Sequence, residues 1–232
     1  MRSVGFGGRS TGRRAGYSVA LVRVTLGVIA LGSAAAGCTA TLPVRTLPAH
    51  QTRWMTSVGG PVAPDHVMTK VIPYLTVGAM HGLSDRTTVS GSLHVLSAAF
   101  GIAGADVGVA RRLASQSGVR PELTGQAQLY AFAASGGARL FPNVAGTLSW
   151  SAGPRTLVYT GSSLTAQFSG EHRVLVSPSL GIQRDVRRRL TLQLESRWLA
   201  ANVNTERGLL EGESGIAGHG GFALLLGAQV RR

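Results

Sequence analysis

From about residue 51 to the carboxyl terminus, apolar side chains alternate with small polar ones at a period of two. That is the spacing of a β-strand with one apolar face and one polar face. "LTLQLESRWLA" shows it most clearly: Leu190, Leu192, Leu194 and Trp198 point one way, and Thr191, Gln193, Glu195 and Arg197 the other. "GFALLLGAQV" sets Phe222, Leu224, Leu226, Ala228 and Val230 against Gly221, Ala223, Gly227 and Gln229, with Leu225 out of step. "VLVSPSLGIQ" and "LTGQAQLYAFA" repeat the pattern. The segments fall at 51–60, 70–82, 87–99, 104–114, 123–134, 143–152, 156–168, 173–184, 189–201 and 221–231.

Most of these runs are longer than the five or six residues usual in soluble sheets. They match the roughly nine to eleven that a tilted strand needs to cross a bilayer. No long helical pattern separates them, so the pattern predicts an antiparallel all-β meander. Closed on itself, that is an up-and-down transmembrane β-barrel of about ten strands, with eight as the alternative count.

Alternation leaves open which face looks outward. A soluble, lipocalin-like barrel buries its apolar face, whereas a membrane barrel turns it to lipid. The polar face decides between them. It is built from Ser, Thr, Gln and Gly, and charged residues make up only 14% of the chain. A water-facing surface carries roughly 25–35% charged residues. The apolar face is therefore expected to point outward and the polar face into a narrow lumen.

Residues 1–37 differ from the rest. A basic start leads into "VTLGVIALGSAAAG", closed by small residues. That is the layout of an export signal peptide, and the run is shorter than the roughly 20 apolar residues of a spanning helix. The single cysteine, Cys38, follows at once. "AAGC" resembles the lipobox of bacterial lipoprotein signal peptides, although Ala35 stands where that family prefers leucine. The resemblance implies cleavage before Cys38 and a diacylglycerol on its thiol, with the new amino terminus acylated as well. Two or more chains anchor firmly where one holds weakly. Residues 38–50, with two prolines, then read as an extended tether, and 51–232 as the barrel.

A lipid-anchored amino terminus on the periplasmic side sends the first strand outward. The turns near 83–86, 115–122, 153–155 and 185–188 then face the periplasm. The loops near 61–69, 100–103, 135–142, 169–172 and 202–220 face outside, as longer connections should. Charge sorts itself along the same axis. Arg86, Arg111, Arg112, Arg120, Arg155, Arg184, Arg187, Arg188, Arg189, Arg231 and Arg232 sit at the periplasmic ends, and Glu171, Glu206, Glu211 and Glu213 outside. Arginine beside an anionic leaflet is electrostatically favoured. Phe100, Phe168, Trp198 and Phe222 lean to the outer rim, and Trp54 and Trp150 to the inner, as aromatic girdles do.

"GLSDRTTVSGSLH" (82–94) resembles the tight Asp-Arg hairpins of Gram-negative outer-membrane barrel proteins. This chain departs from them at its end, "AQVRR", where many members close on an aromatic residue. The resemblance implies outer-membrane lipid as the surroundings, with the barrel-assembly and lipoprotein-processing machineries as partners.

Net charge is +13, but five of the arginines lie in the leader and no basic-aromatic motif appears. Nucleic acid is therefore not the expected partner. The six histidines lack metal-ligand spacing, and one cysteine cannot build a cysteine-based zinc site. No metal, cofactor or catalytic constellation is expected. A Ser/His/Asp set would have to draw on His94, Asp106, His172 or His219 in the outer half. Glu195 and Arg197 share the inward face of one strand, and Asp106 and Arg112 that of another. These four are expected to form a paired lumen network, because unpaired buried charges are costly. A small-molecule ligand is not readable.

Overall fold

A computed structural model of the chain describes Thr41 and residues 43–63, 70–71, 74–168, 172–204 and 219–232. Cys38 and the leader lie outside the described residues. In chain order the elements are β1 (Thr52–Ala63), β2 (Lys70–Val71), β3 (Tyr74–Ser84), β4 (Thr87–His94), a short helix α1 (Val95–Ala99), β5 (Ala103–Ala114) and β6 (Glu122–Ala134). They continue with β7 (Gly137–Gly153), β8 (Thr156–Gln167), β9 (Arg173–Arg187), β10 (Leu190–Asn204) and β11 (His219–Arg231).

Each long strand pairs antiparallel with the next, and β11 returns to pair with β1 from Arg53↔Arg231 to Pro61↔Ala223. The sheet is thus closed, with ten strands in the wall and the two-residue β2 as an extra pairing on β1. Closure satisfies every ladder internally and leaves no sheet edge, the condition for β-structure in lipid.

The faces are inverted relative to a soluble barrel. Val58, Leu93, Val107, Leu129, Val144, Leu164, Leu180 and Leu194 are exposed, at 38–63% of their surface. Their inward neighbours Ser57, Thr76, Ser92, Gln128, Asn143, Ser163 and Gln193 are buried. The polar face thus lines the lumen, opposite to what a soluble lipocalin-like barrel requires, and the outer apolar wall suits lipid. The chain has the fold of a transmembrane β-barrel.

One end is closed by tight turns. Asp85–Arg86 joins β3 to β4, Pro154–Arg155 joins β7 to β8, and Arg188–Arg189 joins β9 to β10. The 115–121 turn at the same end carries a Ser117↔Arg120 bridge. Arg86, Arg111, Arg120, Arg155, Arg184, Arg187, Arg188, Arg189, Arg231 and Arg232 are all exposed at this turn end. Trp150 Nε1 donates to Val119 O there (3.0 Å), and Trp198 Nε1 donates to His219 O (2.8 Å) at the opposite, loop end. Amphipathic rings are thus fixed at both margins of the apolar band. Glu171, Glu206, Glu211 and Glu213 fall outside the described residues.

Two boundaries differ from the sequence expectation by about five residues or more. The strand expected over 87–99 stops at His94, and Val95–Ala99 turns into α1. Ser97 Oγ donates back to His94 O (2.8 Å), and Gly101, at φ +76°, ends the turn in a left-handed conformation that glycine adopts without a Cβ penalty. The loop expected at 135–142 is instead a two-residue turn, Ser135–Gly136, followed by strand. Pro142 reads as a breaker, yet it sits where β7 borders only β6, because the β8 ladder begins at Asn143↔Thr165. A proline is tolerated on such a one-sided stretch.

Candidate functional site: the lumen

Three groups of side chains fill the lumen. The first is charged. Arg197 donates through Nε to Glu195 Oε1 (2.8 Å) and through Nη2 to the same oxygen. Tyr159 OH donates to Glu195 Oε2 (2.9 Å), and Gln193 Nε2 donates to Tyr159 OH (2.8 Å). Glu195 and Arg197 are 1% and 2% exposed. Both carboxylate oxygens are engaged, which is what a buried ion pair needs to offset its desolvation. Gly181 makes this packing possible: a Cβ there would come within 2.3 Å of the Tyr159 hydroxyl.

The second group lies toward the loop end. Ser92 Oγ donates to Asp106 Oδ2, and His94 Nε2 is 3.1 Å from the same oxygen. The His94 ring meets Phe132 edge-on at 4.9 Å between centroids, and Phe132 meets Phe141 at 6.2 Å. Ile102, Tyr130, Phe132 and Phe141 form a buried cluster beside them. Tyr130 OH and Asn143 Nδ2 both donate to Gln128 Oε1 (2.9 and 3.2 Å), and Thr165 Oγ1 donates to Asn143 Oδ1 (2.9 Å). Serine, histidine and aspartate meet here, but one carboxylate oxygen holds both partners. The hydroxyl is oriented by the carboxylate rather than the imidazole, unlike the order of a nucleophile–base–acid triad.

The third group is the chain's own amino-terminal strap, Thr41 and residues 43–51, which folds back into the turn end of the lumen. Arg45 is its hub. Its Nε donates to Ser149 Oγ (2.9 Å), Nη2 to Gln116 Oε1 (2.6 Å) and Nη1 to Ser151 Oγ (3.3 Å). Glu122 Oε2 lies 3.7 Å from Arg45 Nε. Gln126 Nε2 donates to Pro43 O (2.7 Å), and the Leu47 N–H donates to Thr88 Oγ1 (2.7 Å). Val44 and Leu47 are 2% and 4% exposed. Gly82 gives the strap its room, since a Cβ there would sit 2.1 Å from Pro48 O. Between the strap and the β8–β9 wall remains a polar cavity of about 290 Å³, bordered by Arg45, Arg53, Arg155, Gln183 and Asp185.

Of the four residues expected to form one network, Glu195 and Arg197 meet directly. Asp106 bonds instead to Ser92 and His94. Arg112 lies six positions further along β5, roughly 20 Å at strand rise, and its Nε has no hydrogen-bond partner among the described residues. His172 and His219, at the loop end, are exposed. Among the described residues no three His, Cys, Asp or Glu side chains converge as a metal site requires. Tyr159 and the strap contacts had no distinct sequence signal, although the inward parity of β8 includes Tyr159.

These features place the chain in the class of small transmembrane β-barrels whose lumen is filled by side chains. No family model and no curated protein matches the chain. Solved structures similar to it include a de novo designed transmembrane β-barrel, at 11% identity over 81% of this chain and 99% of that one, TM-score 0.36. Another is the translocator domain of the autotransporter NalP from Neisseria meningitidis, at 10% identity, covering 93% and 98%, TM-score 0.48. A third is Ail, the attachment invasion locus protein of Yersinia pestis, at 10% identity, covering 80% and 100%, TM-score 0.27.

Proposed function

We propose that the chain is an outer-membrane lipoprotein: a narrow barrel embedded in outer-membrane lipid, anchored in addition through acyl chains on Cys38. Its role in this reading is structural, surface-exposed or binding, not enzymatic. The carrying observation is the inverted wall, apolar outside and Ser/Thr/Gln-rich inside, on strands long enough to span a bilayer. The arginine-rich turn end supports a periplasmic orientation for that end, against an anionic leaflet. The barrel-assembly and lipoprotein-processing machineries are its expected partners. A Cys38→Ala variant exported by another leader tests the barrel without its lipid. It should still require detergent. A protein soluble without detergent would overturn the reading.

A second reading, a narrow porin or small-solute transporter, is favoured by one observation: much of the lumen is lined by buried Ser, Thr, Gln and Asn side chains. With the strap seated, purified protein in planar bilayers should show no conductance above background. Steady conductance with the strap demonstrably in place would favour the pore.

A further inference from the structure

The outer wall is not evenly covered. One ladder row runs Trp54–Ala79–Gly91–Val107 across β1, β3, β4 and β5, all facing outward. Trp54 and Val107 stand out from the wall, 58% and 60% exposed, about 14 Å apart at three strand spacings. Ala79 and Gly91 between them present only a methyl group and a hydrogen. The next outward row toward the loop end pairs Val77 with Leu93, both exposed. The result is an apolar groove of about 660 Å³, floored by Ala79 and Gly91 and walled by Trp54, Leu93 and Val107.

The outward row two residues nearer the turn end has a different chemistry. It runs Arg232–Thr52–His81. The Arg232 N–H donates to Thr52 O (3.4 Å), Thr52 pairs with His81, and Thr52 Oγ1 and His81 Nδ1 share a hydrogen bond (2.8 Å). Two residues of strand set this row about 7 Å from Trp54. At the rim beside Thr52 opens a second cavity of about 510 Å³, lined by Pro48, His50, Thr52, Arg231 and Arg232. His50, Arg231 and Arg232 are exposed there. No acidic side chain lines this cleft. Among the described residues the Arg231 and Arg232 guanidinium groups have no hydrogen-bond or ion-pair partner.

We infer that the apolar groove and the basic cleft form one site for an anionic phospholipid, with an acyl chain over Ala79 and Gly91 and the phosphate at Arg231 and Arg232. This rests on the outer-membrane reading for its lipid. The order of the two features along the strands matches the ligand: apolar toward mid-wall, cationic at the rim. A chain seated in the groove buries apolar surface on three sides, more than a flat wall offers. Arginine at a lipid surface favours an anionic head, and the Trp54 indole stands at the level where aromatic rings anchor to the interface. A second copy of the chain suits the groove less well. A two-fold pair uses the same patch on both subunits, and would bring Arg231 and Arg232 of both copies to one stretch of rim.

The full chain is reconstituted in vesicles of equal phosphatidylglycerol and phosphatidylcholine, extracted in mild detergent and weighed intact by native mass spectrometry. The expected species is a monomer carrying non-covalently bound phosphatidylglycerol, preferred over phosphatidylcholine about tenfold or more, the order that one or two arginines near a lipid surface supply. Gly91→Leu fills the floor of the groove. A Cβ there has room, 3.4 Å from Asp106 O and 3.8 Å from Val107 Cγ1, so the wall keeps its fold. Bound lipid should fall about tenfold, because the chain loses its buried contact. Ala79→Leu should do the same from the neighbouring strand. Arg231→Gln with Arg232→Gln should leave lipid bound but without preference for the anionic head. Bare monomers, a dimer, equal retention of the two lipids by the unmodified chain, or full retention by both groove variants would each overturn the inference and leave the outer-membrane reading intact. A chain that does not enter the vesicles would overturn that reading, and the inference with it.

Discussion

Replacing Glu195 by alanine should be the most damaging single truncation in the lumen. Glu195 accepts from both Arg197 donors on one oxygen and from Tyr159 on the other. The variant leaves the Arg197 guanidinium, 2% exposed, without its counter-charge. It also strands the Tyr159 hydroxyl, which keeps only the bond that it accepts from Gln193. Breaking one partner of a buried pair costs about 3–5 kcal/mol, or two to more than three orders of magnitude in the folding equilibrium at about 1.4 kcal/mol per tenfold. Glu195→Leu combined with Arg197→Met removes both charges and should recover much of that loss, since apolar replacement of a buried pair is often close to neutral. The measurement is equilibrium unfolding by guanidinium in phospholipid vesicles, followed by tryptophan fluorescence. Trp54, Trp150 and Trp198 all sit near the rims of the wall and report its transfer from lipid to water. A cost for Glu195→Ala below about 1 kcal/mol, the value of a solvent-exposed pair, would refute the reasoning, because it would mean that water replaces the carboxylate.

Two further substitutions probe the two faces of the wall. Val107→Arg puts a charge in mid-strand on the lipid side, where Val107 is 60% exposed; unfolding in vesicles should show a loss of about 2–4 kcal/mol, whereas a cost near zero would argue against a lipid-facing wall. Gly181→Val drives a side chain into the Tyr159 ring and hydroxyl, Cζ and OH both at 2.3 Å; overpacking of this kind costs about 1–3 kcal/mol, and unfolding in vesicles at the wild-type midpoint would argue against this close packing.

The wall was legible in the sequence because period two is a local property. Leu190, Leu192 and Leu194 against Thr191, Gln193 and Glu195 define a face without reference to any other strand, and the scarcity of charged residues in the polar set, mostly Ser, Thr, Gln and Gly, tells which face looks inward. The ten strands sit where the alternation puts them, to within a few residues. The misread boundaries each involve a residue whose local meaning is overridden by its neighbours. Pro142 reads as a break, but the β7–β8 ladder ends at Asn143, one residue short of it. Val95 and Leu96 look like more strand, but Ser97 bonds back to His94 and the chain curls. The lumen was legible only where partners share a strand. Glu195 and Arg197 are two apart and find each other. Asp106 and Arg112 share a face, but Asp106 is claimed by His94 and Ser92 from β4, which is a matter of register between strands. The strap was less legible still. "TLPVRTLPAH" carries no periodicity, and its place depends on a set of acceptors, Gln116, Ser149 and Ser151, some 70 to 106 positions away.

The chain carries a single lysine, Lys70, and the cations that bond inside the lumen, Arg45, Arg53 and Arg197, are all arginine. A narrow polar lumen needs cations that satisfy several acceptors at fixed angles, and a guanidinium offers five donors in one rigid plane where an ammonium offers a point charge with three. Arg45 uses this fully, touching Gln116, Ser149 and Ser151 from three different nitrogens. Arg45→Lys should therefore behave as a loss rather than a conservative change. The charge opposite Glu122 remains, but only part of the hydrogen bonding can be rebuilt, and each bond lost to a charged donor is worth about 1.5–3 kcal/mol. The strap should loosen while the wall, whose ladders do not involve Arg45, keeps its stability. In lipid vesicles the Cys38→Ser form carrying Arg45→Lys should show faster digestion near Thr46 by a protease of broad specificity, with an unchanged guanidinium midpoint for the barrel. If strap and wall instead fail together, the segment is a structural part of the barrel and not a separable plug.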